Sequence, residues 1–313
     1  GPPSAPLIKN VTSAEAAAAE ALGRHSHRLG SQGLFWTRGV EESAAERAGL
    51  LEQRTDRPAA WTDVVLQGPH FGISNPFQKE PRLSGLHQQD YDEIDLNELS
   101  ESHIPRTNWQ RKASRSALAT SLETWDGIPY SESFRAIVRK RIPSNTYRSL
   151  FVSLCPRGPI ATNICYFGGY ADETDTALLV GVLSGLLSDF FIRITDTTDV
   201  TEGVIGRLPA MRKESTFSAP VLHRVARLNC LTDDFADLWS SLHSEHWTED
   251  DFADSARATR SIASPPTTWD MGVPVRTDLD RWLLLTALDA LGALVLGVDP
   301  AGLTAVVECQ GVV

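Results

Sequence analysis

Residues 134–170 read FRAIVRKRIPSNTYRSLFVSLCPRGPIATNICYFGGY, and after the acidic turn ADETDTA residues 178–212 read LLVGVLSGLLSDFFIRITDTTDVTEGVIGRLPAMR. A basic segment with Ser144, Asn145 and Thr146 leads into a β-branched and aromatic run. Alternation over Tyr147–Leu154 predicts a strand, Cys155–Gly158 a turn and Ile160–Phe167 a second strand. Ala177–Ile194 is nearly continuous in apolar residues, which predicts a helix buried on most sides, with Thr174 as its cap. Thr195–Glu202 is a polar loop, and Val204–Leu208 reads as a last strand or edge segment stopped by Pro209. The fold class expected is α/β (α+β): a small mixed sheet packed on a buried helix, with a helical C-terminal subdomain.

Upstream, Ser13–Leu22 is an alanine-rich helix with Ser13 as N-cap, and Glu41–Ala48 is helical and ended by Gly49. Leu34–Trp36 is a short buried-type run, and Asp63–Leu66 reads as a strand. Pro76 and Pro81 predict that GISNPFQKEPR (72–82) is irregular and exposed. Gln88–Ser102 is acidic and turn-rich, and Ala113–Glu123 reads as a helix. Downstream, Val221–Cys230 and Asp233–His243 are amphipathic helices, Ser261–Pro274 a Pro/Thr-rich link, Asp278–Gly297 a long helix and Pro300–Val307 a short one. This divides the chain into an N-terminal helical segment (1–60), an α/β domain (61–220) and a helical subdomain (221–313).

A chain of 313 residues, 42% apolar and 22% charged, is sized for one large or two ordinary globular domains. Asp189 inside the longest apolar stretch argues for a buried helix against a membrane span, and GPPSAPLIKN lacks the charge and apolar core of a signal peptide. A cytoplasmic setting without membrane contact is expected. Cys155, Cys165, Cys230 and Cys309 form no CxxC pair, so buried free thiols are expected in place of a disulfide framework.

The net charge of −11 argues against nucleic acid when taken alone, but the charge is polarised. Between Ile104 and Ile160 stand ten basic residues against three acidic ones, whereas Asp233–Asp254 holds eight carboxylates. No phosphate-cradling glycine loop, GxSxG or HExxH is present. A metal site from His243, His246, Glu245 and Asp250 is conceivable, but a solvated helix face is the favoured reading of them. The feature above background is a set of basic and amide side chains near aromatics. Cations neutralise phosphates, and Arg, Asn and Gln can read base edges. The DNA-binding candidates are Arg106, Asn108, Gln110, Arg111, Lys112, Arg139, Lys140, Arg141, Asn145, Arg148 and the loop residue Thr198. The alternative is a solvated basic face with Trp109 anchored in the core.

The order of segments is more specific than any one of them. VLQGPHFGISNPF (65–77), HIPRTNWQR (103–111), the FRAIVRKRIPSNTYRSLFVSLCPRG stretch and the LLVGVLSGLLSDFFIRI helix with GRLPAMR follow one another. Together they resemble the C-terminal target-recognition region of type IIG-like adenine-N6 DNA methyltransferases and of the related methylases in BREX and DISARM phage defence. The tail, with RLNCLTDDFADLW and an Arg-bearing DALGALVLG helix, is similar to that family's closing segment. The resemblance implies sequence-specific recognition of double-stranded DNA within a restriction or phage-defence system. Its partners would be a methyltransferase domain or other defence subunits. The NPPY-type and FxGxG-type motifs of those methylases are absent. The resemblance therefore implies a non-catalytic chain without cofactor, S-adenosylmethionine belonging to the parent enzyme. Other readings are a protein-interaction module of the same complex, built on Asp233–Asp254 and Asp278–Gly297, and a small enzyme whose site the sequence hides.

Overall fold

The structure, a computed structural model, describes residues 11–83, 90–143, 146–195, 197–249 and 265–310. Helix α1 (Ser13–Arg24) is capped by Thr12, not by Ser13. Thr12 accepts from the Glu15 N–H at 3.3 Å while Glu15 returns to the Thr12 N–H, a reciprocal cap. Then come β1 (Phe35–Arg38), α2 (Glu42–Arg47), β2 (Leu51–Gln53), β3 (Val64–Leu66), β4 (Lys79–Pro81), β5 (Tyr91–Glu93) and β6 (Trp109–Arg111). Helix α3 (Arg115–Ser121) is capped by Ser114 and followed by the two-residue strands β7 (Thr124–Trp125) and β8 (Ile128–Pro129).

The stretch that opens the sequence supplies β9 (Arg135–Arg139), β10 (Val152–Cys155), β11 (Ile160–Ala161), β12 (Cys165–Gly169), α4 (Glu173–Ser184) and α5 (Leu186–Ile194). The remainder is helical: α6 (Glu202–Ile205), α7 (Ser218–Asn229), α8 (Ala236–Leu242), α9 (Asp278–Leu296) and α10 (Pro300–Cys309).

One antiparallel sheet has the order β1-β12-β9-β10, and a second has the order β11-β3-β6-β2 with β11 parallel to β3. The fold is mixed α and β. Helix α4 packs on β9, β10 and β12 and is flanked by α7, α8 and α9. The main core runs through both sheets and these helices, from Leu29 to Leu288, and a satellite core joins α1, α5 and α10 through Leu22, Phe190 and Val306. β1 and β2, from the segment expected to stand apart, are strands of the two sheets.

Several expectations are corrected. The run Ile160–Phe167 splits between the sheets: Ile160 and Ala161 pair with Val65 and Leu66, and the chain reaches the other sheet at Cys165. Residues 147–151 are not a strand, because the amides of Ser149 and Leu150 donate to the buried Asp189 carboxylate, both at 2.8 Å. The long apolar helix is two helices meeting at 64°, the first capped by Asp172. At the break the Leu186 N–H, which the turn orphans, donates to Asp289 Oδ1 at 2.8 Å. Val204 and Ile205 end a short helical turn in place of a strand. GISNPF is buried, with Phe77 fully enclosed, and Lys79–Pro81 continues it as a strand. No single described helix is long and apolar enough to cross a membrane. All four cysteines are free; Cys155, Cys165 and Cys230 are buried and Cys309 is exposed.

Candidate nucleic-acid interface

Strand β9 sorts its cations by position. Arg135 is buried and donates to the carbonyls of Ser133 at 2.7 Å and Pro156 at 3.1 Å, with its guanidinium 4.5 Å from the Phe167 ring centre. Arg139 lies over Phe151 at 3.8 Å and donates to the Phe71 carbonyl at 2.6 Å. Burial pulls its pKa down to about 10. Neither arginine is a surface charge. Each supplies N–H groups to carbonyls that turns leave without backbone partners.

The same holds along HIPRTNWQR. Arg106 pairs with Glu80 at 2.7 Å and donates to the Pro81 carbonyl at 3.0 Å. Asn108 donates to Tyr91 Oη at 2.8 Å and to Gln67 Oε1 at 3.1 Å, and Gln110 donates to the Asp56 carbonyl at 2.5 Å. Arg111 is tied to Asp63 and to the Thr62 carbonyl at 3.0 Å. Arg148, beyond β9, forms a buried two-pronged pair with Asp289 at 2.6 and 3.1 Å and holds the Ser184 carbonyl at 2.7 Å. Against the expectation of surface groups, Arg106, Asn108, Gln110, Arg111, Arg139 and Arg148 turn onto partners within the fold, although the Arg139 Nε finds none among the described residues. Asn145 lies outside the described residues.

What stays at the surface is smaller and gathered differently. Lys112, just after β6, is exposed, as is Arg115 at the start of α3. Lys140 and Arg141, just after β9, share one carboxylate, Asp199, at 3.6 and 3.4 Å. Arg141 is 76% exposed in that pair. The Asp199 loop is pinned to them by backbone bonds, Ile142 N–H to Thr198 O at 3.1 Å and Val200 N–H to Lys140 O at 2.8 Å, which leaves Thr198 exposed beside them.

Arg38 closes β1 at the same end of the sheet. It is exposed, has no side-chain partner among the described residues, and lies opposite Tyr166, which in turn lies opposite Val138. Two strand spacings put its backbone about 10 Å from β9. Alternation carries Lys140 to the same face, where Trp36 and Tyr166 stack at 5.7 Å. Arg38 is absent from the sequence-derived candidates. Its signal is a cation ending the FWTR run just before Gly39, where a Cβ would sit 2.3 Å from the Thr162 carbonyl oxygen.

His70, His103 and the buried thiols are held neutral. His70 is buried between the Gln67 N–H, 2.8 Å from Nδ1, and the Arg106 carbonyl, 3.1 Å from Nε2. Burial lowers its pKa to about 4. His103 also falls to about 4, through burial and then the nearby Arg57. Burial pushes the Cys155 thiol up to about 11 and those of Cys165 and Cys230 higher still. Among the described residues no three His, Cys, Asp or Glu side chains converge in a metal-ligating group, and His243 packs beside the Trp247 ring at 5.3 Å. No protein-family model and no curated protein matches the chain.

Proposed function

We propose that this chain recognises a DNA target for an adenine-N6 methyltransferase of a restriction or phage-defence system. The observation that carries the reading is the sheet end where Arg38, Lys140, Arg141 and Thr198 converge from three distant segments. Lys140 and Arg141 share the Asp199 carboxylate there, and Arg38 has no side-chain partner among the described residues, so cations are available at this end of a chain whose net charge is −11. Phosphate contacts from such a face set register on a duplex, and neighbouring loop groups such as Thr198 reach base edges. The ordered resemblance, which runs roughly from Leu34 to the C-terminus, is what points to this class of system. On this reading the chain has no reacting groups of its own. A methyltransferase domain or another defence subunit brings S-adenosylmethionine, and both work on double-stranded DNA in the cytoplasm.

Fluorescence anisotropy with labelled duplexes tests the proposal. Binding should weaken steeply between about 50 and 200 mM salt. The triple variant Arg38→Ala, Lys140→Ala, Arg141→Ala should flatten the logarithmic salt slope by about one for each phosphate that is no longer neutralised. No binding at low salt, or binding that ignores salt, overturns the proposal.

A further inference from the structure

Helix α9 is packed against α4, α5, α7 and α10 on one side and bare on the other. Its exposed residues include Leu279 at 52%, Trp282 at 55% and Leu294 at 61%. Thr286 and Ala290 are also exposed, and Leu283, Ala287 and Leu291 are half-buried between them. Their spacing places all eight on one helical face about 23 Å long. None is charged. The single hydroxyl among them, that of Thr286, donates to the Trp282 carbonyl of the same helix at 3.0 Å. Large side chains left in water in such a row mark a contact surface.

Acid stands at both ends of this row, Asp278 just ahead of Leu279 and Asp299 just past the C-cap of α9. Among the described residues from 265 onward, the exposed charged side chains are Asp270, Asp278, Asp299 and Glu308. The arginines of the segment turn inward. Arg281 is buried, donating to the carbonyls of Leu228 and Val275 at 3.0 Å and of Ser74 at 2.7 Å, and Arg276 donates to those of Leu96 and Leu231.

We propose that the bare face of α9 docks a cationic amphipathic helix, one with its own leucine-type stripe flanked by Lys or Arg. Charge complementarity chooses this occupant. A second copy would set the acidic ends of one row against those of another, and an anionic membrane would be repelled in the same way. Size agrees: a helix lying along α9 needs only the stripe, whereas a stable interface between folded copies takes about 800 Å² from each partner. The proposal rests on α9 alone and stands apart from the DNA reading.

The test uses the full chain and fluorescein-labelled model helices, one patterned from leucine and lysine and one with the same pattern in leucine and glutamate. The lysine helix should bind and the glutamate helix should bind at least roughly tenfold more weakly. Trp282→Ser, Leu294→Ser and Asp278→Lys should each weaken the lysine helix, the two apolar changes by roughly tenfold. Leu83→Ser, which alters an exposed leucine elsewhere, should leave binding unchanged, with circular dichroism confirming the fold of every variant. Equal binding of both helices, or lysine-helix binding that Trp282→Ser and Leu294→Ser leave intact, overturns the proposal. So does a Trp282-dependent self-association in sedimentation, or a Trp282-dependent adsorption to anionic phospholipid vesicles.

Discussion

The Arg148 guanidinium grips the Asp289 carboxylate from both prongs, at 2.6 and 3.1 Å, and so clamps the segment ahead of β10 to the middle of α9. The pair is buried, with 9% and 8% of the two side chains exposed. Burial raises the Asp289 pKa, and Arg148 and the Leu186 amide pull the other way. Removing one partner strands a charge in the interior. Asp289→Ala should destabilise the fold by about 3–5 kcal/mol in urea denaturation. The paired change Arg148→Met with Asp289→Leu should recover most of that stability. Equal destabilisation by the single and paired variants would contradict this account.

The inward-turned polar groups separate stability from recognition. Asn108→Ala leaves Gln67 and Tyr91 short of a donor, and Arg111→Ala leaves Asp63 without its cation. Each should lower unfolding free energy by about 1–3 kcal/mol while the salt slope of DNA binding stays unchanged. A changed slope with unchanged thermal stability would return these residues to the DNA surface.

Gly39 marks a close crossing of backbones. A Cβ there would come within 2.3 and 2.4 Å of the carbonyl oxygens of Thr162 and Ala161. No flexible side chain can move aside to accommodate it. Gly39→Ala should cost at least about 1–3 kcal/mol, read as a lower denaturant midpoint.

Acid should weaken the fold through two histidines. In the folded state His70 and His103 titrate near 4, below the ordinary 6.5. The unfolded chain takes up their protons first, so their contribution is complete above pH 6.5 and is lost as pH falls toward 4. Within that window each removes up to about 1.4 kcal/mol per pH unit. For His103, Arg57 adds to the effect, and Glu80, 3.9 Å away, opposes it. Equilibrium denaturation of His70→Gln at pH 5 and pH 7 should show a smaller difference than the parent chain.

Much of the architecture was legible from periodicity and capping chemistry. β3, α2, α3, α7, α9 and α10 fall where alternation, propensity and turn residues put them, within a few positions. Cap positions slipped by one or two residues because Thr12 and Ser13, or Asp172 and Thr174, are equally able to accept from an amide, and the choice depends on where the first turn closes. The eight-residue run from Ile160 to Phe167 hid a change of sheet, since apolar character is the same on both sides of it. Proline content misled at GISNPF, where Phe77 packs into the main core beside Trp61. The cations misled most. Composition counts a charge but not its direction, and Arg135, Arg139 and Arg148 serve carbonyls and a carboxylate whose positions only the folded chain defines.

The three residues from Thr162 to Ile164 that carry the chain between the sheets have a mechanical consequence. From Ala161 to Cys165 they reach at most about 14 Å, so this tether keeps the two sheet edges close while the shared core fills the space behind it. If the Arg38 and Lys140 face reads a DNA target as proposed, a change of target would come from replacing side chains on that face, with the framework behind it left in place.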